Sequence, residues 1–290
     1  MSSLIVSLAK KGIIRPPRNK YKLETLPTKF SIEGFGEIER EELNFVNLRG
    51  YTIAGSYYKA PNPAPGNPCV VYMHGNASNQ LEGRFCVSLF LPIGINVYCF
   101  DFAGCGCSQG DFVTLGHYEA QDAILAVETI QERYDCQKIA FWGRAMGAVT
   151  AFIVASTRKD IKAIIADTPF ASLHELCMRI AKQKKIPDSM YDSLWPKIRQ
   201  KVLEDTEFDI ESLNIIDLAG FCITPTFFIH GNEDDFIPTS NSQILFDSLP
   251  TDHKEIHIVP GSTNDDRPPK IITDATIFIA HWLGVEVEFA

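Results

Sequence analysis

The alternation of short apolar runs with amphipathic segments restricts the fold of this chain more than any other property of its sequence. Mainly apolar runs, such as 69–73, 95–100 and 161–166, are typical of strands buried on both faces of a sheet. Segments with helical periodicity lie between them, and 119–133 is a clear case. This alternation predicts an α/β fold with a mostly parallel central sheet and helices on both faces.

Two regions depart from the alternation. Residues 36–48 and 51–58 are predicted to form an antiparallel hairpin that precedes the parallel strands. From about 171 to 218 two helix-like stretches follow one another, which indicates a helical lid inserted over the carboxyl edge of the sheet. Because the lid is an insertion, residues 1–290 are predicted to form a single domain, with 1–30 as an N-terminal extension.

Composition narrows the class of function. Lys and Arg total 27 against 36 Asp and Glu, and the resulting net charge of −9 argues against nucleic-acid binding. The eight cysteines show no paired C-x-x-C spacing, so we expect no metal site, reduced thiols and a cytoplasmic location. The Gly-rich segment 104–110 lacks the Gly-Lys-Ser or Gly-Lys-Thr of a phosphate-binding loop, and no cofactor is predicted.

The N-terminal residues have a pattern of their own. Leu4, Ile5 and Leu8 have helical spacing, which predicts a short amphipathic helix. This helix is expected to pack against the body of the chain, with contact to a membrane or a partner as the alternative. No apolar run reaches the ~18 residues of a membrane span, so none is predicted.

The most informative motif is Gly143-Arg144-Ala145-Met146-Gly147, which lies between a predicted strand and a predicted helix. In that context G-x-S-x-G forms a nucleophile elbow, a strained turn that presents one side chain above the sheet at a helix N-terminus. Here the presented side chain is the methyl group of Ala145.

Four further segments complete a family pattern. They correspond to an oxyanion loop, a D-x-x-G-x-G-x-S loop, an acid loop and a histidine loop, and they are residues 72–76, 101–108, 230–238 and 261–268. With the elbow, these motifs make the chain resemble the α/β-hydrolase superfamily, in particular its serine-aminopeptidase-like and lipase-like intracellular members. The resemblance extends from about residue 45 to 283.

The resemblance implies a role for each matching position. The triad positions are Ala145 for the nucleophile, Asp234 for the acid and Thr263 for the histidine. The oxyanion donors would be the backbone amides of Asn76 and Met146, and Gly143 and Gly147 are the elbow glycines. Two of the three triad positions therefore depart from the family pattern.

The chemistry of these two departures predicts inactivity. A methyl group cannot attack a carbonyl, and a threonine hydroxyl has no pKa near 7 with which to shuttle a proton. In a comparable triad the loss of the nucleophile or the base alone costs ~10⁶ in rate. The remaining histidines outside the motifs, and Cys105 and Cys107 on the Gly-rich loop, lack the paired geometry of a replacement nucleophile and base.

Three functions are compatible with this sequence. The first is a catalytically inactive hydrolase-like protein (a pseudoenzyme) that serves as a binding or structural subunit of a larger assembly, with residues 1–25 as candidate contacts to protein partners. The second is an esterase, lipase or aminopeptidase whose serine has been replaced in the laboratory, which explains Ala145 and leaves Thr263 unexplained. The third is a non-catalytic small-molecule sensor, which requires an open cavity of ~300–1,000 Å³ under the lid.

Overall fold

The architecture is seen in a computed structural model that describes residues 2–15, 17–183 and 185–287. Its strands in these residues are β1 (Lys29–Ile32), β2 (Gly36–Glu42), β3 (Phe45–Val46), β4 (Thr52–Ile53), β5 (Gly55–Tyr58), β6 (Cys69–Met73), β7 (Asn96–Phe100), β8 (Ile139–Arg144), β9 (Ile161–Asp167), β10 (Thr226–Gly231) and β11 (Lys254–Val259). Nine of them form one sheet in the order β1-β2-β5-β7-β6-β8-β9-β10-β11, and β3 pairs with β4.

The sheet is antiparallel at its N-terminal edge and parallel elsewhere. β1, β2, β5 and β7 pair antiparallel with one another in that order, while the pairs from β7 and β6 through β10 and β11 are parallel. Every residue of β6 and β7 is buried, as their continuous apolar runs predict. The mostly parallel sheet is therefore confirmed.

The predicted N-terminal hairpin forms, but it is interrupted. β2 and β5 pair between Arg40 and Tyr58, and the β3–β4 pair continues the hairpin toward a turn at Gly50. The side chain of Asn44 accepts a hydrogen bond from the Gly55 amide at 3.1 Å, in the break between the two ladders. The strand β1 was not predicted, because its residues alternate only between exposed and half-buried.

Helices cover both faces of the sheet. They are α1 (Ser2–Ile14), α2 (Phe85–Phe90), α3 (His117–Tyr134), α4 (Met146–Thr157), α5 (Leu173–Gln183), α6 (Asp188–Thr206), α7 (Ile215–Ala219), α8 (Ser240–Ser248) and α9 (Pro269–Leu283). One apolar cluster joins the sheet to α2 and α9, and another joins it to α3, α4 and α8. This arrangement confirms the predicted helices on both faces.

The lid consists of α5 and α6, which follow β9 where the strand–helix alternation stops. Leu173, Cys177 and Ala181 repeat every fourth residue along α5 and are buried, so α5 packs with one face inward. The Trp195 indole N–H of α6 donates to the Glu211 carboxylate at 2.7 Å, which anchors the lid to the connection that follows it. The helix α7 was not predicted, and it packs against α4. That residues 1–290 form one domain stays a prediction.

The N-terminal extension lies against the lid and the loops. The helix α1 packs on α6, and Lys10 pairs with Asp205 at 2.6 Å. The Val113 amide donates to the Ile14 carbonyl at 2.8 Å at the end of α1. Farther along, the Tyr21 hydroxyl donates to the Asp101 carboxylate at 2.8 Å. The extension is thus tied to the body of the chain at several points along its length.

Candidate functional site

The elbow places Ala145 in a conformation that few residues adopt. Ala145 lies between the end of β8 and the start of α4, with φ 47° and ψ −108°. Its amide donates to the Asp167 carbonyl at 2.8 Å, which holds the turn against the neighbouring strand. Strained backbone of this kind persists only where its surroundings impose it, and it is the geometry of a nucleophile elbow.

The two elbow glycines are required by space. A Cβ on Gly143 would lie 2.4 Å from the carbonyl carbon and oxygen of Gly147. A Cβ on Gly147 would lie 2.0 Å from the Met73 carbonyl oxygen, so α4 approaches β6 at backbone distance. Neither glycine has a positive φ. Close backbone packing therefore requires both glycines, and this requirement does not depend on the side chain at position 145.

The acid and histidine positions lie in direct contact. The Asp234 Oδ1 accepts hydrogen bonds from the amides of Phe236 at 2.9 Å and Ile237 at 2.7 Å. The Thr263 hydroxyl donates to the other carboxylate oxygen, Oδ2. Asp234 is buried and Thr263 is half-exposed. The structure thus brings the predicted acid and histidine positions together, with a threonine hydroxyl as the donor.

A buried histidine supports the acid loop from below. The imidazole N–H at Nε2 of His230 donates to the Ile237 carbonyl at 2.7 Å, and Ser242 Oγ is 2.6 Å from its Nδ1. Burial lowers the pKa of His230, so the ring is held neutral in this position. His230 therefore fixes the loop that carries Asp234.

The predicted oxyanion donors lie beside the N-terminus of α4. Asn76 and Met146 line the same cavity as Ala145. Among the described residues, neither of their backbone amides donates a hydrogen bond to another protein group. The preceding loop is held by Glu82, which accepts from the Gly75 amide at 2.8 Å. Free amides at a helix N-terminus are suited to a carbonyl oxygen or a carboxylate.

An ion-pair network that was not predicted connects the loops of the site. Arg267 contacts Asp167 through Nη2 at 2.7 Å and Nε at 3.0 Å, and both side chains are buried. Arg144 lies 3.4 Å from Asp167 and 3.5 Å from Glu82, and it donates to the Asp265 carbonyl at 2.8 Å. Elbow, oxyanion loop and histidine loop are therefore held together by charged groups. The R-P pair of the histidine loop was the one sequence signal for this network.

A cavity of about 520 Å³ opens in front of Ala145. Its lining is almost entirely apolar and comes from α1, the elbow, the lid and the acid loop. The contributing residues include Ile5, Leu8, Ala9 and Ile13 of α1, Leu173, Cys177, Ile180, Ala181, Tyr191, Leu194, Trp195 and Ile198 of the lid, and Phe236 and Ile237 of the acid loop. Asp234 and Thr263 do not line the cavity. The contribution of α1 was not predicted, because spacing indicates a helix and not its packing partner.

The substitute nucleophiles and bases considered from the sequence do not assemble into a site. The five histidines outside the motifs contact aromatic rings and do not line the cavity: His117 packs on Phe208, His174 on Trp195, His257 on Phe227, and His253 and His281 on Trp282. Burial raises the pKa of the Cys105 and Cys107 thiols, which disfavours the reactive thiolate.

These features define the class of protein. A mostly parallel sheet, an elbow at a strand–helix junction, an acid loop after the strand β10 and a last loop after the strand β11 together make an α/β-hydrolase. The family model described as serine aminopeptidase, S33, matches residues 66–214, just over half of the chain, and the chain belongs to that family.

Relatives of the chain come from bacteria and eukaryotes. Uncharacterized protein YqkD of Bacillus subtilis is 29% identical over 230 residues, which cover 74% of this chain and 70% of that protein. Protein bem46 of Schizosaccharomyces pombe is 23% identical over 282 residues, covering 92% of this chain and 86% of that protein. The Pyrococcus furiosus esterase Pf2001 superposes with a TM-score of 0.69 at 20% identity, covering 85% of this chain and 94% of the esterase. At that identity the esterase supports the fold alone.

Proposed function

We propose that this chain is a non-catalytic α/β-hydrolase that binds an apolar small molecule in the cavity in front of Ala145. The open cavity of about 520 Å³ carries the proposal. Its volume falls within the range of ligand sites, ~300–1,000 Å³. A chain that served only as a structural block would gain stability by filling this space with its own side chains. Of the three functions compatible with the sequence, the sensor is therefore favoured.

The absence of catalysis rests on the reacting groups. Ala145 has no nucleophilic atom, and the Thr263 hydroxyl is committed to Asp234 and cannot accept a proton near neutral pH. What remains is a preorganised pair of amides and a pocket, which in a comparable enzyme accelerate the reaction ~10³–10⁴-fold over its rate in water. The site thus keeps the means to bind a carbonyl compound and lacks the means to cleave it.

The lining indicates the class of ligand. Apolar walls favour a hydrocarbon chain, since each buried methylene contributes ~0.8 kcal/mol. The amides of Asn76 and Met146, two residues of the lining, are suited to a carboxylate or ester carbonyl. The Asn76 Oδ1 is buried and without a partner among the described residues, so it can accept from a ligand hydroxyl. A single-chain amphiphile such as a fatty acid fits the apolar walls and the amides, and the hydroxyl of its protonated carboxyl group can also donate to the Asn76 Oδ1.

A titration with a fluorescent fatty acid tests the proposal. We expect saturable binding of one probe per chain and no hydrolysis of the matching p-nitrophenyl ester. Ala181 lines the cavity, so Ala181→Phe places a ring in it and should weaken binding at least tenfold. Gln200→Phe adds the same ring on the exposed face of α6 and is the matched control. Equal affinity of both variants, or no saturable binding by the parent, would refute the proposal.

A subunit of a larger assembly is the second candidate. Phe221 and Ile223, in the connection between α7 and β10, are among the most exposed large apolar side chains of the described residues. Neighbouring exposed apolar side chains favour contact with a protein. The same titration separates the two candidates, because a chain that only packs against partners has no reason to bind the probe saturably.

A further inference from the structure

The distribution of charge along the chain is strongly uneven. Residues 1–30 carry seven basic side chains and one acidic side chain, that of Glu24, so their net charge is +6. The whole chain has a net charge of −9, which leaves −15 for residues 31–290. An asymmetry of this size is typical of a basic segment that contacts an anionic surface. Two of the seven basic residues, Lys10 and Lys29, are paired within the chain, with Asp205 and Glu37.

The outer face of α1 combines this charge with exposed leucines. Leu4, Leu8, Lys11 and Arg15 fall within a sector of about 60° at roughly 100° per residue. The Arg15 amide continues the helical bonding to the Lys11 carbonyl at 2.9 Å. Leu4 is 64% and Leu8 is 61% exposed. We call these four residues the outer stripe. A helix with leucines and basic residues on its free side is suited to the interface of an anionic bilayer.

The opposite face of α1 is already occupied. Val6, Ile13 and Ile14 are buried against the body of the chain. Lys10 is paired with Asp205, whereas Lys11 and Arg15 form no ion pair within the described residues. The inner face therefore explains how α1 is held, and the outer stripe is available to a surface.

The cavity opens at the same place. Leu8 both lines the cavity and is largely exposed, and Phe236 of the acid loop lines it with 42% exposure. The mouth therefore lies beside the outer stripe. A hydrocarbon chain in a bilayer that touches the stripe is next to the entrance of an apolar cavity.

We propose that the outer stripe docks the protein on an anionic lipid bilayer, and that the cavity takes a single-chain lipid from that membrane. That the cavity takes its ligand from the membrane rests on the proposed function, whereas the docking on the bilayer does not. Among the described residues, none of the helices has the length and hydropathy of a membrane span. An acidic protein surface would complement the basic residues of the outer stripe. It would not account for the exposed leucines of the stripe or for the cavity mouth beside them.

Co-sedimentation of the full chain with vesicles tests the docking. We expect binding to vesicles of phosphatidylcholine mixed with phosphatidylserine, little binding to phosphatidylcholine alone, and release by salt. A triple variant, Leu4→Ser/Lys11→Gln/Arg15→Gln, should lose roughly tenfold or more in partitioning, because two basic residues near the surface are removed. None of the three lines the cavity. Leu48→Ser/Lys59→Gln/Lys162→Gln, which removes one leucine and two charges at exposed positions elsewhere, is the matched control.

The outcomes separate this inference from the proposed function. Equal partitioning of parent and triple variant, or capture of the parent by polyglutamate beads but not by phosphatidylserine vesicles, overturns the docking. The triple variant should still bind a water-soluble fluorescent fatty acid with the affinity of the parent. Vesicle binding without probe binding would support the docking and overturn the lipid ligand. Probe binding without vesicle binding would support the lipid ligand and overturn the docking.

Discussion

Restoring two side chains should return hydrolase chemistry to this protein. The change is Ala145→Ser combined with Thr263→His, which rebuilds the triad on the existing loops. Asp234 already accepts two backbone hydrogen bonds and one from Thr263, so the acid is in place for an imidazole. Position 145 keeps the elbow conformation, with φ 47°, and Asn76 and Met146 line the same cavity.

The expected magnitude follows from the non-additivity of a triad. Loss of nucleophile or base alone removes about as much rate as loss of all three groups, ~10⁶. The rate of either single reversion should therefore remain close to that of the parent chain. The double reversion should raise the rate at least ~10³-fold, which corresponds to ~4 kcal/mol of activation free energy. Adding Asp234→Asn to the double variant should remove most of that gain, since the corresponding change in a serine protease costs ~10⁴.

The assay is labelling by a fluorophosphonate probe together with turnover of short p-nitrophenyl esters and aminoacyl-nitroanilides. The parent chain and both single variants are the controls. Turnover by the parent, or full recovery by Ala145→Ser alone, would show that another group acts as base and would refute the assignment of Thr263. A folded double variant that neither labels nor turns over substrate would show that the loops are not in catalytic geometry.

Two further predictions concern stability. A Cβ at Gly147 would lie 2.0 Å from the Met73 carbonyl oxygen, whereas a Cβ at Gly12 in α1 meets nothing within 4 Å. Gly147→Ala should therefore cost ~3 kcal/mol or more and Gly12→Ala should stabilise by ~0.5–1 kcal/mol, a contrast that thermal unfolding measures. Burial raises the pKa of Asp122 to about 6, so between pH 4 and 6 the folded state holds a proton that the unfolded state releases. This group consequently lowers stability by up to ~3 kcal/mol as pH rises through that window. Urea midpoints of Asp122→Asn should vary less with pH there than those of the parent, and parallel curves would contradict the attribution.

Much of the fold was predictable because its signals are local. Continuous apolar runs marked the central strands, and periodicity marked α3 and α9 to within a few residues. Elements with a weak or very short sequence pattern were not predicted. β1 has no fully buried residue, and α7 is too short for a helical period to show. Only the pairing of β1 with β2 and the packing of α7 on α4 stabilise them.

The site, like the fold, has some features that the sequence predicts and others that depend on tertiary contacts. Motif order predicts positions 145, 234 and 263 as the triad, an assignment that stays a prediction, and the expected loss of chemistry at two of them is a property of the side chains themselves. The contact of Thr263 with Asp234, the network of Arg144, Asp167 and Arg267, and the strained turn at Ala145 depend on residues far apart in the chain. Motifs mark such residues, but distances between them exist only in the folded molecule.

The sequence alone predicts that positions 145 and 263 supply neither a nucleophile nor a base, because a methyl group and a threonine hydroxyl have the same chemistry in any fold. The presence of a cavity could not be predicted from the sequence. Its walls come from α1, α5, α6 and the loop after β10, and its volume is what their packed side chains leave unfilled. The same packing turned Leu8 outward beside the opening, which no spacing of residues along the chain could reveal.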